Sequence, residues 1–362
     1  MKIQNIPVKS DIVFTDGIKH PDLFLWDGWS YYDNEVSHLY CLAVSRYHSD
    51  HTPLDPSTRN FHPFHIRHFT STDEGKTWID EGCFLKPRLN ESKHDSRTIW
   101  SGSVEPLPEG RKLVAYTGLQ TVDDDHIFLQ NIALAVSNDG YTIDSVAEIP
   151  LSSPVRDWFE ITELGYYLSE PTSIGYKDGE NGGPITAWRD PFVYVDSTER
   201  IYLFWSAKIT SHESAMASAL LEPDGALFKM SKLFPPILFP DRAQFTQFEL
   251  PKIYHNPQES CYYLIGATCN RLYEGQSDAE VGKAIRLYKS ATIDGSWQPW
   301  GIDGSIIFQA ENLFGMTVLK TDFANDRLLC ISPYTEAASD ELQLTFSRTF
   351  YIYLNPVRIV WQ

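Results

Sequence analysis

The segment Ser71-Thr72-Asp73-Glu74-Gly75-Lys76-Thr77-Trp78 has the form S-x-D-x-G-x-T-W. Each of these residue types has a use in a tight hairpin. The Asp carboxylate accepts backbone N–H groups across the turn, Gly supplies a positive φ, and Trp packs beneath. The pattern returns twice. Ser137-Asn138-Asp139-Gly140-Tyr141-Thr142 is a shortened version, and Ser290 to Trp297 (SATIDGSW) is a looser one. A turn that recurs along a chain points to a repeated supersecondary unit.

Between the turns the chain reads as strands. Leu39 to Val44, Lys112 to Tyr116, Phe128 to Val136, Ile201 to Trp205, Cys261 to Ala267, Leu328 to Ser332 and Phe346 to Leu354 are rich in Tyr, Val, Ile and Phe, punctuated by Gly, Asn, Asp and Pro. Glu213 to Leu221 reads as a short helix or another strand. No Gly/Ser linker or charge block marks a boundary. The turns resemble the Asp-box hairpins that join outer strands of propeller blades, where they are structural. Divided among five blades, 362 residues give about 72 each, generous for four strands; six or seven blades would have to be compact throughout. The expectation is an all-β, five-bladed β-propeller formed by residues 1–362 as a single catalytic domain.

Charge narrows the partners. Lys plus Arg number 30 against 48 Asp plus Glu, a net charge of −18. That balance argues against a nucleic acid, which is held by cationic neutralisation, and against an anionic membrane surface. A neutral substrate fits better, although the charge does not identify it. The five cysteines are odd in number and form no CxxC pair, so neither a disulfide framework nor a zinc site is expected. Met1 to Ser10 lacks the apolar region of a secretory signal, and no apolar run is long enough to span a membrane. A cytoplasmic location is expected, with a secreted mature form left open.

Three carboxylates stand in special contexts. Asp27 lies between two Trp residues in Trp26-Asp27-Gly28-Trp29; Asp190 lies in Trp188-Arg189-Asp190-Pro191, after a Gly-rich approach from Gly179 to Pro184; Glu249 alternates with apolar residues in Gln247-Phe248-Glu249-Leu250-Pro251. Singly, they fit a turn Asp, a buried Arg–Asp pair and a strand-edge Glu. Together they fit glycoside hydrolysis with retention, which needs an ionised nucleophile about 5 to 5.5 Å from a protonated acid. The acids are far apart in sequence, which suits a fold whose inner strands converge on one axis.

At these residues the chain resembles glycoside hydrolase family 68, the levansucrases, inulosucrases and bacterial β-fructofuranosidases, whose fold is a five-bladed β-propeller. The family's WDxW, WSGS and RDP motifs are matched by Trp26 to Trp29, Trp100-Ser101-Gly102-Ser103 and Arg189-Asp190-Pro191. Gln247 and Glu249 match its acid/base segment, and Arg271 in ATCNRLYEG matches a sugar-site arginine. The resemblance runs over residues 20 to 335 with the motifs in order. It implies that Asp27 attacks the anomeric carbon of a fructofuranosyl unit, Glu249 serves as acid then base, and Asp190 stabilises the transition state. It also implies that Arg189 orients Asp190, Ser101 hydrogen-bonds Asp27, and Trp26, Trp100, Gln247 and Arg271 shape the sugar site. Sucrose or a fructo-oligosaccharide is the implied substrate, with no cofactor or metal required. Family members usually carry Arg directly after the acid/base Glu, where this chain has Leu250. The E-x-P sequence is similar to that of the related family 32. Both features point towards a fructosidase, or a fructosyltransferase making short products, over a processive polymerase.

Other signals compete. His62, His65 and His68 recur at intervals of three, but Pro63 breaks any helix and no carboxylate completes a metal set. Asp123-Asp124-Asp125 reads as an acidic turn ahead of a calcium site. An arabinan- or xylan-directed glycosidase of a related five-bladed family, often inverting, is the main rival. A sialidase would need a nucleophilic Tyr with an Arg triad, which is not evident. A sugar-binding propeller without activity is the non-enzymatic alternative.

Overall fold

The structure is a computed structural model, and it describes residues 6, 8–89, 91–180, 183–273, 276–310, 312–334 and 344–362. The described strands form a five-bladed β-propeller, whose chain divides into two compact units. Met1–Pro87 with Ile307–Gln362 make the first unit, and Arg88–Ile306 the second.

In the first unit, β1 (Val13–Thr15), β2 (Leu23–Asp33), β3 (Val36–Ser45), β4 (His65–Ser71) and β5 (Thr77–Leu85) pair antiparallel in the order β1-β5-β4-β3-β2. The second unit holds three sheets, each in sequence order. They are β6 (Thr98–Pro106), β7 (Lys112–Gln120), β8 (Leu129–Ser137) and β9 (Ser145–Val146); β10 (Arg189–Val195), β11 (Ile201–Lys208), β12 (Ser214–Asp224) and β13 (Leu227–Leu233); and β14 (Gln247–Asn256), β15 (Cys261–Cys269), β16 (Lys283–Ser290) and β17 (Gln298–Pro299). The chain then returns to the first unit. There β18 (Thr317–Asp322), β19 (Arg327–Ile331), β22 (Phe350–Leu354) and β23 (Val357–Trp361) make a blade, and β20 (Pro333–Tyr334) pairs with β21 (Thr345–Phe346).

Two expectations change in detail. Of the two readings left open for Glu213 to Leu221, Ser214 to Leu221 is strand, within β12, because its small residues pair with β11 along their whole length, and Glu213 precedes it. Phe346 to Leu354 is not one strand: β21 ends at Phe346 and β22 begins at Phe350, each with a different partner. A short helix, α1 (Trp158–Glu163), went unforeseen. No described helix is long and apolar enough to cross a membrane.

The three repeated turns join the outer strands. Between β4 and β5, the Asp73 carboxylate accepts the Thr77 N–H at 2.9 Å and the Thr77 hydroxyl at 2.7 Å, Gly75 has φ +80°, and Trp78 is fully buried. Between β8 and β9, Asp139 accepts the amides of Tyr141 and Thr142 in the same manner. The loose copy between β16 and β17 differs, since there Ser290 makes the turn's bonds, to the Gly295 carbonyl and the Thr292 amide.

Aromatic side chains fill the spaces between sheets. Trp188 and Trp205 meet edge to face at 5.1 Å between the first two blades of the second unit. Phe239, Phe248, Tyr288 and Trp297 pack between its second and third. In the first unit, Phe14, Phe69, Trp78, Leu319 and Phe346 do the same. Four cysteines are buried as small apolar residues and none is bridged; Cys83, however, is exposed.

Candidate functional site

One end strand of every blade carries a register shift against its neighbour, and four of these shifts coincide with the sequence motifs. In β2 it falls between Trp26 and Gly28, in β6 between Trp100 and Gly102, in β10 between Arg189 and Phe192, in β14 between Glu249 and Lys252, and in β18 between Val318 and Lys320. The residues left over at the bulges include Asp27, Ser101, Asp190 and Leu250. Three of these have left-handed backbones: Asp27 at φ +42°, Asp190 at +59° and Leu250 at +55°. Non-glycine residues adopt that region at a cost of about 1–2 kcal/mol, tolerated where the surroundings fix it. Bulges re-aim side chains out of the strand's alternation. Gly and Pro follow for local reasons: a Cβ on Gly102 would lie 1.9 Å from the Ala115 carbonyl oxygen, and Pro191 and Pro251 need no ladder partner because they have no N–H.

In the second unit these bulges assemble a charged cluster. The buried Arg189 guanidinium donates through Nη2 to Gln247 Oε1 at 2.9 Å and lies 3.2 Å from Glu249 Oε1. Its Nε is 3.7 Å from Asp190 Oδ2. Burial works against the Arg189 charge, but the Glu249 and Asp190 carboxylates outweigh it and hold the guanidinium more firmly protonated than usual. Asp190 Oδ2 also accepts the Ser206 hydroxyl and the Leu250 N–H, each at 3.3 Å. Leu250 is thus a buried bulge residue whose amide serves Asp190. Glu249 is one-fifth exposed, and its Oε1 receives the Cys269 thiol at 3.7 Å. Burial, followed by the Glu249 charge, pushes that thiol up to about 12, so it stays protonated and able to donate. The sequence reading placed Glu249 among apolar neighbours; its strand neighbours are apolar, but the carboxylate itself faces a cation.

The other expected residues of this unit make the following contacts. Ser101 is buried, and its carbonyl accepts the Thr117 hydroxyl at 3.1 Å. Trp100 is half-buried against Phe128, 5.8 Å away. Arg271 donates through Nη1 to the Gln276 carbonyl at 2.7 Å, while its own carbonyl accepts the Thr246 hydroxyl, tying its loop to the residue before Gln247. Within its flanking sequence, residues 274 and 275 lie outside the described residues, as do 181 and 182 of the Gly-rich approach. Asp123 turns back to accept the amides of Asp125 and His126, as an acidic turn does.

In the first unit Asp27 sits at its bulge with Gly28 donating to the Gly315 carbonyl at 3.1 Å. Trp26 is buried, with Phe64 edge-on at 4.6 Å and the Arg59 guanidinium 5.7 Å from its ring. The three histidines spaced by three diverge. His62 packs on His48; His65 is buried near Arg67 and Asp80, and burial brings it down to about 3; His68 stacks on Tyr40 at 4.5 Å and meets His38 Nδ1 at 3.1 Å. His65 and His68 lie on β4, where residues three apart point to opposite faces, and His62 precedes the strand, so the three do not converge.

Sequence reasoning missed Thr117, Ser206, Lys208 and Cys269. All lie on the second strands of their blades, in runs that read as ordinary strand, and no local pattern reveals which distant residues they meet.

No protein-family model matches this chain, and no curated protein does. Solved structures do. A Bacillus subtilis levansucrase superposes with a TM-score of 0.65 at 13% identity, covering 96% of this chain and 88% of that one. A Bacillus megaterium levansucrase variant gives 0.61 at 13% identity over 93% and 85%. A B. subtilis levansucrase variant in complex with oligosaccharides gives 0.63 at 12% identity over 96% and 88%. The likeness spans nearly the whole chain at low identity, and the five-bladed propeller of this protein is therefore the fold seen in the levansucrases.

Proposed function

We propose that the protein belongs to the levansucrase-like glycosidases and cleaves β-fructofuranosides with retention, passing the fructosyl unit to water or a sugar acceptor. The observation that carries this reading is the Arg189 cluster: one buried guanidinium binds both Glu249 and Asp190, at 3.2 and 3.7 Å, on adjacent bulged strands of a propeller. Levansucrases crystallised with sucrose and with oligosaccharides share that fold.

Asp27 forms the bond to the anomeric carbon as the glycosidic bond breaks, and Glu249 gives its proton to the leaving oxygen. In the second step Glu249 takes a proton from water or a sugar hydroxyl, whose oxygen displaces the Asp27 carboxylate. Asp190 bonds sugar hydroxyls and balances oxocarbenium charge. Arg189 holds Glu249 and Asp190 in place, and Trp26 and Trp100 offer aromatic faces to the ring. Leu250 offers no side-chain polar group to the leaving sugar, which favours hydrolysis and short transfer products.

Product analysis after incubation with sucrose tests the reading. Equal glucose and fructose mark hydrolysis; glucose in excess with new oligosaccharides marks transfer. Asp27→Asn and Glu249→Gln are each expected to lower kcat by more than about 10³-fold. A wild-type enzyme inactive on sucrose, raffinose and fructo-oligosaccharides, or one whose first-formed sugar is inverted by NMR, would overturn it.

A further inference from the structure

Two bulges in adjacent blades each place a backbone polar group outside the regular ladder. In β6, Trp100 pairs with Thr117 and Gly102 with Tyr116, so Ser101 is skipped. In β10, Arg189 pairs with Ser206 and Phe192 with Phe204, so Asp190 is skipped. The Ser101 carbonyl needs a donor and the Asp190 N–H needs an acceptor. A single hydroxyl on β7 supplies both. Thr117 Oγ1 donates to the Ser101 carbonyl at 3.1 Å and accepts the Asp190 N–H at 2.9 Å, and the residue is fully buried. A hydroxyl has one proton to give and lone pairs to receive, so the two bonds do not compete.

From this geometry we infer that Thr117 is the positioning residue of Asp190, joining two bulges through one hydroxyl and holding the aspartate backbone in its left-handed conformation. The conformation aims the Asp190 carboxylate at Arg189, Ser206 and Leu250. The inference rests on the proposed function for its catalytic consequence, but its structural half does not.

An internal control exists in the same pair of blades. Ser103 Oγ accepts the Val193 N–H at 2.9 Å, three residues beyond Asp190 and away from the charged cluster. Thr117→Val, Thr117→Ser and Ser103→Ala would be compared for kcat, KM, melting temperature and amide hydrogen exchange at Asp190. Thr117→Val keeps the volume and removes the hydroxyl. It is expected to lower kcat about tenfold or more with KM within about twofold, and to speed Asp190 exchange. Thr117→Ser should restore most of both. Ser103→Ala should lose comparable melting temperature while keeping kcat within about twofold. If Thr117→Val leaves Asp190 exchange unchanged, or costs no more activity than Ser103→Ala at equal melting temperature, the assignment is wrong. If wild-type protein cleaves no β-fructofuranoside, the functional reading fails, and the exchange comparison still decides the role of Thr117.

Discussion

Lys208 shows how a single side chain reports on its surroundings. It follows Ser206 by two along β11, so both point to the face where Ser206 meets Asp190. Its ammonium is buried and donates to the Ser211 carbonyl at 3.0 Å. Burial first, then repulsion from Arg189, brings its pKa down to about 7. The unfolded chain holds that proton up to its ordinary value near 10.5, so the unfolded state binds more protons between the two values. The penalty is therefore complete below pH 7 and fades as pH rises towards 10.5. Lys208→Met is expected to stabilise the protein at pH 6, by an amount on the order of 4 kcal/mol before losses at Ser211, and to do so far less at pH 10. Melting temperatures of both proteins across that range check the sign. A difference that grows with pH would contradict it. Nothing in IYLFWSAKIT marks Lys208 as buried; the strand is legible, but the facing Arg189 belongs to another strand.

At the scale of the element, the hairpin and the bulge divide the labour. The β4–β5 turn is legible in eight residues because its bonds are local: Asp73 accepts from Ser71 and Thr77 within the turn. Asp73→Ala should cost about 1–2 kcal/mol, typical of losing a carboxylate that caps several local donors, with kcat unchanged. Chemical denaturation with parallel activity assays separates the two effects, and a matching fall in kcat would show that the turn is more than structural. The bulges are legible in part. W-D-G, W-S-G, R-D-P and E-L-P stand out as odd sequences in apolar strands, and all four mark the same place in their blades. The fifth, between Val318 and Lys320, carries no polar residue at its centre, Leu319, and so left no trace to read. Leu250 is the instructive case. From the sequence it reads as a missing polar contact; in the fold it is a bulge residue whose main chain serves Asp190.

For the molecule as a whole, the two ends of the chain belong to one unit. The Ile18 N–H donates to Phe346, the Phe346 N–H to Ile18, and the Leu25 N–H to Leu344, at 3.1, 3.0 and 2.9 Å. Phe346 also packs with Ile18, Leu319 and Ile331 in the core of that unit. Truncation before Leu344 removes these partners and two strands of a blade, so Met1–Pro87 should become sensitive to limited proteolysis. Mass mapping of the first cuts tests this, and continued protection of β2 and β3 would refute it. The second unit, Arg88–Ile306, contains three of the blades.

What the sequence determined by itself follows from the range of each interaction. Strand alternation, turn chemistry and the identity of the three acids are written in windows of two to eight residues, as are the motifs that carry the resemblance. The excess of 48 acids over 30 bases argued against polyanionic partners without naming the chemistry. Tertiary structure decided what depends on strands distant in sequence: that Arg189 holds Glu249 as well as Asp190, that Cys269 donates to Glu249, that three histidines diverge, and that one threonine hydroxyl bridges two bulges. A hydrogen bond acts over about 3 Å, and which groups come that close is set by how blades pack.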